Sequence, residues 1–261
     1  MTKEKETPVA KETASKFKFP SEVVKLPSNG LLYGKESPLS KGEIEMKYMT
    51  AREEDILTNQ NFIRQGIVLD KLLQSLILTK INYDDLLLGD KNAIMIAARI
   101  LGYGKDYGFM YNGEEQVVDL SLLESQELDE SALVTPNKNE FKFTLPKSGN
   151  EITFKLLTSG DEKDIENELI GIKKINKNLS PELTTRLKYM ILSVNGEYDK
   201  KLIRDFVDNY LLAPDSRALR DYIKKVQPDV ITKFKYVNDE GVEEDIEIPI
   251  TVNFFWPDAW R

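Results

Sequence analysis

One short pattern occurs twice in this chain and constrains what it can fold into. Glu43-Ile44-Glu45-Met46-Lys47-Tyr48-Met49-Thr50-Ala51-Arg52-Glu53-Glu54 aligns without gaps on Glu151-Ile152-Thr153-Phe154-Lys155-Leu156-Leu157-Thr158-Ser159-Gly160-Asp161-Glu162. Apolar and polar residues alternate first, which is the period of a half-buried strand. A Thr with an acid three residues later follows in both, the signature of a capping box that opens a helix. The structural caps expected are therefore Thr50 with Glu53 and Thr158 with Asp161. Two readings fit the echo: a duplicated strand-to-helix unit, or the look that any capped strand-to-helix junction has.

Around these junctions the hydrophobic period switches repeatedly between two and 3.6. Residues 1–20 mix Lys and Glu with little apolar content and read as a disordered arm. Val23–Lys25 and Leu31–Tyr33 flank Asn29-Gly30 and are expected to pair as a short hairpin. Ile67, Leu69, Leu72, Leu73, Leu76 and Ile77 give one helical face. Asp90 is placed as the N-cap of a helix over 91–101 that stops at Gly102. Phe109, Tyr111, Val117 and Val118 read as strands around Asn112-Gly113, and 121–140 as a loop. Phe141–Leu145 and Ile152–Leu156 form the clearest hairpin signal. Helical period returns from Thr158 to Val226, with a start at Pro181, two helices parted by Asn195-Gly196, and a restart at Pro214-Asp215. A last strand is expected to carry Ile246, Ile248, Ile250, Val252 and Phe254 on one face. The expected fold class is α+β: mostly helical lobes with small antiparallel hairpins. Its divisions are 1–20 (arm), 21–107 (hairpin plus helices), 108–158 (hairpin region) and 159–261 (helical lobe closed by strands).

Composition narrows the chemistry. The 261 residues include no Cys and no His, so thiolate nucleophiles, Ser-His-Asp triads and the usual zinc sites are excluded. The net charge of −8 disfavours nonspecific binding to nucleic acid, and no basic stripe with interleaved aromatics is present. No apolar run approaches the roughly 20 residues needed to span a bilayer. Gly102-Tyr103-Gly104-Lys105 fails the phosphate-loop pattern, because Asp106 stands where Ser or Thr belongs. Asp84-Asp85 and Asp90 are interrupted by Leu86–Leu88 and read as helix-start acids rather than cation ligands. No catalytic, cofactor-binding or metal-ligating residue is assigned, and no cofactor is expected. The sharpest aromatic feature is Phe254-Phe255-Trp256-Pro257. Phe254 reads as core. Phe255, Trp256 and Trp260 are the candidates for binding a partner, since interface centres favour aromatic residues.

The order of signals resembles the baseplate hub subunits and hub-assembly proteins of T-even-type contractile phage tails. It runs Leu26-Pro27-Ser28-Asn29-Gly30-Leu31-Leu32-Tyr33, Met49-Thr50-Ala51-Arg52-Glu53-Glu54-Asp55, Leu69-Asp70-Lys71-Leu72-Leu73, then Asp85-Leu86-Leu87-Leu88-Gly89-Asp90 into Ala97–Leu101, closing on Phe254–Pro257. The resemblance implies a non-enzymatic protein that works by docking to other tail or hub proteins, the tape-measure protein among them, with self-association left open. It places the protein in the host cytoplasm during assembly and in the tail baseplate of the virion. An assembly chaperone for the tape measure, absent from the finished particle, and a carboxylate-based cell-wall hydrolase are the alternatives. The glycosidase spacing of T-even lysozymes, a Glu with an Asp nine positions on, is absent. Tyr111-Asn112-Gly113-Glu114 stands where relatives would carry paired cysteines, so metal binding is not carried over.

Overall fold

Strand-to-helix junctions of the kind read from the echo organise the computed structural model, which describes residues 20–178, 180–237, 241–250 and 252–255. The fold is α+β, with helices around small antiparallel sheets. Strand β1 (Ser21–Lys25) pairs with β2 (Glu43–Lys47), and helices α1 (Ala51–Leu57), α2 (Gln60–Arg64) and α3 (Val68–Leu76) follow. The chain then returns to β2, where Met46 bridges Ile77 and the Leu78 N–H donates to Glu45 O at 2.8 Å. Helix α4 (Leu88–Tyr103) leads into the hairpin of β3 (Asp106–Tyr111) and β4 (Glu114–Asp119). A linker with the short strand β5 (Ser125–Gln126) follows.

The second half repeats this path. β6 (Phe141–Thr144) pairs with β7 (Glu151–Phe154), followed by α5 (Ser159–Ile175) and α6 (Glu182–Met190). β8 (Ile191–Val194) then returns to β7, with Phe154 opposite Ile191 as Met46 is opposite Ile77. α7 (Lys200–Asp205) runs into a wide π turn at Phe206–Tyr210, and α8 (Ala213–Val226) stands where α4 stood. β9 (Asp229–Val230) pairs with β5, and β10 (Lys233–Val237) pairs with β11 (Glu243–Glu247) as β3 pairs with β4. The duplicated-unit reading therefore extends well beyond the aligned segments. Equivalent hairpins face each other, with Phe109 against Phe234 at 5.3 Å and Tyr111 against Tyr236 at 5.0 Å between ring centroids.

One continuous core joins the halves. It includes Leu26, Ile44, Met46 and Ile94 from the first, and Leu145, Ile152, Phe154 and Leu219 from the second. Phe141 stacks on Phe154, and Phe143 on Tyr222. Arg99 of α4 is fully buried, and among the described residues no carboxylate forms an ion pair with it. Its Nε donates to Phe254 O at 2.9 Å and its other nitrogens to Gly104 O and Asp106 O, between the faces of Tyr103 and Tyr107. The fixed fork of guanidinium donors suits three diverging carbonyls.

Several expectations are corrected. Asn29-Gly30 is a turn, but no strand returns at Leu31–Tyr33. β1 pairs instead with residues 43–47, because Leu32 and Tyr33 are buried over the start of α4 rather than spent on a ladder. The residues before Asn195-Gly196 are strand β8, not helix: apolar spacing runs unbroken from Leu187 through Val194, which hides the switch of period. The final strand ends at Glu247. Pro249 cannot donate to a ladder, and Val252–Phe255 form a 3-10 turn. The 108–158 span holds two hairpins, β3–β4 and β6–β7, which lie in different sheets. Residues 1–19 of the expected arm lie outside the described residues.

Gly89 illustrates how closely the halves are packed. A Cβ there would lie 1.9 Å from Pro228 O, a backbone atom, whereas Gly171 in α5 faces open space. Gly89→Ala is expected to destabilise by more than about 2 kcal/mol despite the better helix propensity of Ala. Gly171→Ala should stabilise by about 0.5–1 kcal/mol. Urea unfolding of both variants checks the contrast.

Candidate functional site

With no Cys or His, carboxylate, lysine, tyrosine or oxygen-ligand metal chemistry remains, and the structure shows what the buried carboxylates Asp90 and Asp215 do. Asp90 has no exposed surface and is not a cap. The cap position belongs to Leu87, and Asp90 sits three residues on, in the first turn of α4. Its Oδ1 accepts from Ser28 N at 2.9 Å, and its Oδ2 from Ser28 Oγ at 2.7 Å and Tyr33 Oη at 2.6 Å. The Tyr33 hydroxyl in turn accepts from Leu87 N at 3.0 Å. Burial raises the Asp90 carboxyl above its usual range, and the three donors oppose that rise. Burial and the neighbouring Asp90 charge push the Tyr33 phenol far up, so it remains a donor.

Asp215 holds the equivalent place in α8, whose cap position is Leu212. It too is fully buried and accepts from Lys147 N at 2.7 Å and Ser148 N at 3.0 Å. Burial raises this carboxyl, but the N–H donors outweigh burial and leave it below its ordinary value. The backbone donors in both cases lie in matching turns, Leu26-Pro27-Ser28-Asn29-Gly30 and Leu145-Pro146-Lys147-Ser148-Gly149. Each turn starts with a buried Leu and ends with a Gly at positive φ, 76° for Gly30 and 74° for Gly149. Each half therefore has its first turn tied to the first turn of its last helix by one carboxylate.

The capping acids are also tied down. Glu53 Oε2 accepts from Thr50 N at 3.0 Å and from the Thr50 hydroxyl at 2.6 Å, while Oε1 takes Lys47 Nζ at 2.8 Å and Ser75 Oγ at 2.7 Å. Asp161 repeats the pattern, with Thr158 N at 3.0 Å and Lys155 Nζ at 2.6 Å. Both junctions close as capping boxes, and the same Lys of the echoed strand clamps each box.

A cleft of about 440 Å³ lies beside α5, α6, β8 and α7. Three of its four lining cations are paired: Lys155 with Asp161, Lys188 with Asp208 at 2.6 Å, and Arg204 with Glu168 at 3.0 Å. Among the described residues no group of three or more acids could hold a metal ion. Asp84 and Asp85 are exposed and Asp90 is buried, so they do not converge. Gly102, the expected stop, is corrected: it lies inside α4, where a Cβ would crowd Met49, and Gly104, at φ 84°, ends the helix. Phe255 is corrected as a partner-binding candidate: it has no exposed surface and packs edge-on against Phe254 at 5.3 Å, because the 3-10 turn folds both rings inward. Trp256 and Trp260 lie outside the described residues.

The sequence places Asp215 at a helix restart, Ser28 in the first turn and Lys147-Ser148 in a hairpin turn, but does not show that Asp90 binds Ser28 or that Asp215 binds Lys147 and Ser148. The signal available was the Leu-Pro-x-x-Gly pair, together with Leu87, Asp90, Phe109 and Tyr111 recurring at one constant offset as Leu212, Asp215, Phe234 and Tyr236. No protein-family model, no curated protein and no solved structure matches this chain.

Glu53 gives a pH signature. Burial alone raises its carboxyl, but Lys47, Thr50 and Ser75 outweigh burial and lower it from 4.5 to about 2. An acid depressed in the folded state contributes stability above its unfolded pKa and loses it as pH falls through the folded one. Glu53→Gln is therefore expected to cost about 3 kcal/mol at neutral pH, with the difference from the parent vanishing between pH 4.5 and 2. Urea unfolding across that range checks it. A difference independent of pH would contradict the assignment.

Proposed function

We propose that this chain is a non-enzymatic docking subunit of a contractile phage tail, either a structural part of the baseplate hub or a factor that assembles it. The observation that carries the reading is the ordered series of signals from Leu26 to Leu101 with the closing Phe254–Pro257. The geometry supports it from a second side. Glu53, Asp90, Asp161 and Asp215 are spent on turns and helix starts, where they rigidify a scaffold. Exposed apolar side chains such as Val117, Leu122, Ile175 and Tyr210 offer docking area. No described helix is long and apolar enough to cross a membrane. In this reading the rigid duplicated body presents apolar surface to tail or hub proteins, and its acidic surface sets encounter and partner choice.

Mass spectrometry of purified particles, beside a pull-down from infected cells, tests the proposal. The expected result is the protein in particles at a small symmetric copy number, or its recovery with hub proteins. Absence from particles with recovery on the tape measure would move the assignment to the assembly chaperone. Acid- or metal-dependent cleavage of cell wall by the pure protein would overturn it.

A further inference from the structure

The two halves meet through a contact that leaves one equivalent of each side unused. Leu86–Leu88, just before α4, lies antiparallel to Leu157–Ser159, just before α5. The Ser159 N–H donates to Leu86 O at 2.8 Å, and the Leu88 N–H to Leu157 O at 3.2 Å. The contact joins the exit side of the first half to the entry side of the second, so it is head-to-tail. The second half carries its own exit side at Leu211–Ala213, before α8. The first half carries its own entry side at Met49–Ala51, before α1. These do not meet each other. Among the described residues Leu211 O, Ala213 N–H, Met49 O and Ala51 N–H have no hydrogen-bond partner.

Exposure follows the same division. Leu87 in the inner contact is 3% exposed, while its counterpart Leu212 is 45% exposed and the neighbouring Tyr210 is 63% exposed. Ala51 is exposed where its counterpart Ser159 is buried. We infer that a second copy of this chain docks its Met49–Ala51 segment on Leu211–Ala213, repeating between molecules the contact that joins the halves within one. The occupant follows from the fold: among the described residues the surface that seats on such an edge is the strand-to-helix junction of the same unit, and the free junction of that kind is the chain's own.

The outer contact differs from the inner one in one respect. Gly160 lets the start of α5 close on Asp84, because a Cβ there would come within 3.0 Å of it. Arg52 holds that place in the first half, and the position equivalent to Asp84 is Asn209, next to Asp208. The outer contact therefore sits slightly wider and brings a guanidinium toward an amide and an acid. A heterologous contact of this kind closes into a ring or extends as a filament, according to the rotation it imposes. The inference does not depend on the tail reading.

Sedimentation velocity of the full chain over a concentration series tests it. Two variants are chosen to keep the fold. Ala51→Pro removes the N–H at the first position of α1, where Pro is tolerated. Leu212→Asp places a favourable capping residue before α8 but buries an unpaired charge if docking occurs. The wild type is expected to gain mass with concentration. Each variant should weaken this by about tenfold or more. An equimolar mixture of the two should form dimers and stop there, since each supplies the side that the other lacks. If Ala51→Pro fails to fold, adding Leu212→Asp to wild type still decides, because it should shorten the wild-type assemblies. A wild type that stays monomeric throughout, variants that associate as the wild type does, or a mixture that stays monomeric would each overturn the inference.

Discussion

A buried carboxylate in the first turn of a helix, reaching back to the N–H groups of a Leu-Pro-x-x-Gly turn, is the interaction on which the architecture depends. Asp90 does this for the first half and Asp215 for the second. Two features make the arrangement favourable. A carboxylate near a helix N-terminus sits at the positive end of the macrodipole. Backbone N–H groups in a tight turn have no ladder partner and must be satisfied when buried. The carboxylate answers both needs and joins segments more than sixty residues apart. Burial of an ionised group is costly unless its lone pairs are taken up. Each Asp therefore commits its turn to one conformation, and the glycines at positive φ are what allow that conformation.

From these ties the rest of each half follows. The turn sets the first strand against the second, and the second strand delivers its Lys to the capping acid of the next helix. The helices bring the chain back to the same strand at the equivalent residue. The halves are not identical. The first turn continues through Leu31–Gly42, whose Tyr33 adds a third donor to Asp90. Gly89 admits the Pro228 backbone where the second half has an exposed Pro214. Arg99 fastens Phe254 beneath Tyr107. Such differences turn a duplication into a single body with one core, in which only one of the two head-to-tail contacts is made internally.

What was legible in the sequence was local. Asn112-Gly113 and Lys147–Asn150 specify their hairpins by turn chemistry, and Thr50 and Thr158 specify their helix starts through residues three positions away. What escaped was decided by distant partners. An Asp ahead of an apolar helical stretch looks alike at the cap and within the first turn. Only the positions of Ser28 and Tyr33 in space place Asp90 inside. β8 carries the apolar spacing of the helix before it, and only pairing with β7 makes it a strand. Phe255 reads as outward-facing on an ideal strand and turns inward because the strand ends early.

Each half is locked by its own carboxylate. Amide hydrogen exchange of Asp90→Asn and Asp215→Asn tests it most directly. An amide side chain keeps one acceptor but replaces the other with a donor that faces N–H or O–H groups. Protection should fall at Ser28 and the surrounding turn in the first variant, and at Lys147 and Ser148 in the second, with the opposite half little changed. Equal loss throughout the chain in both variants, or unchanged protection at the turns, would contradict the account.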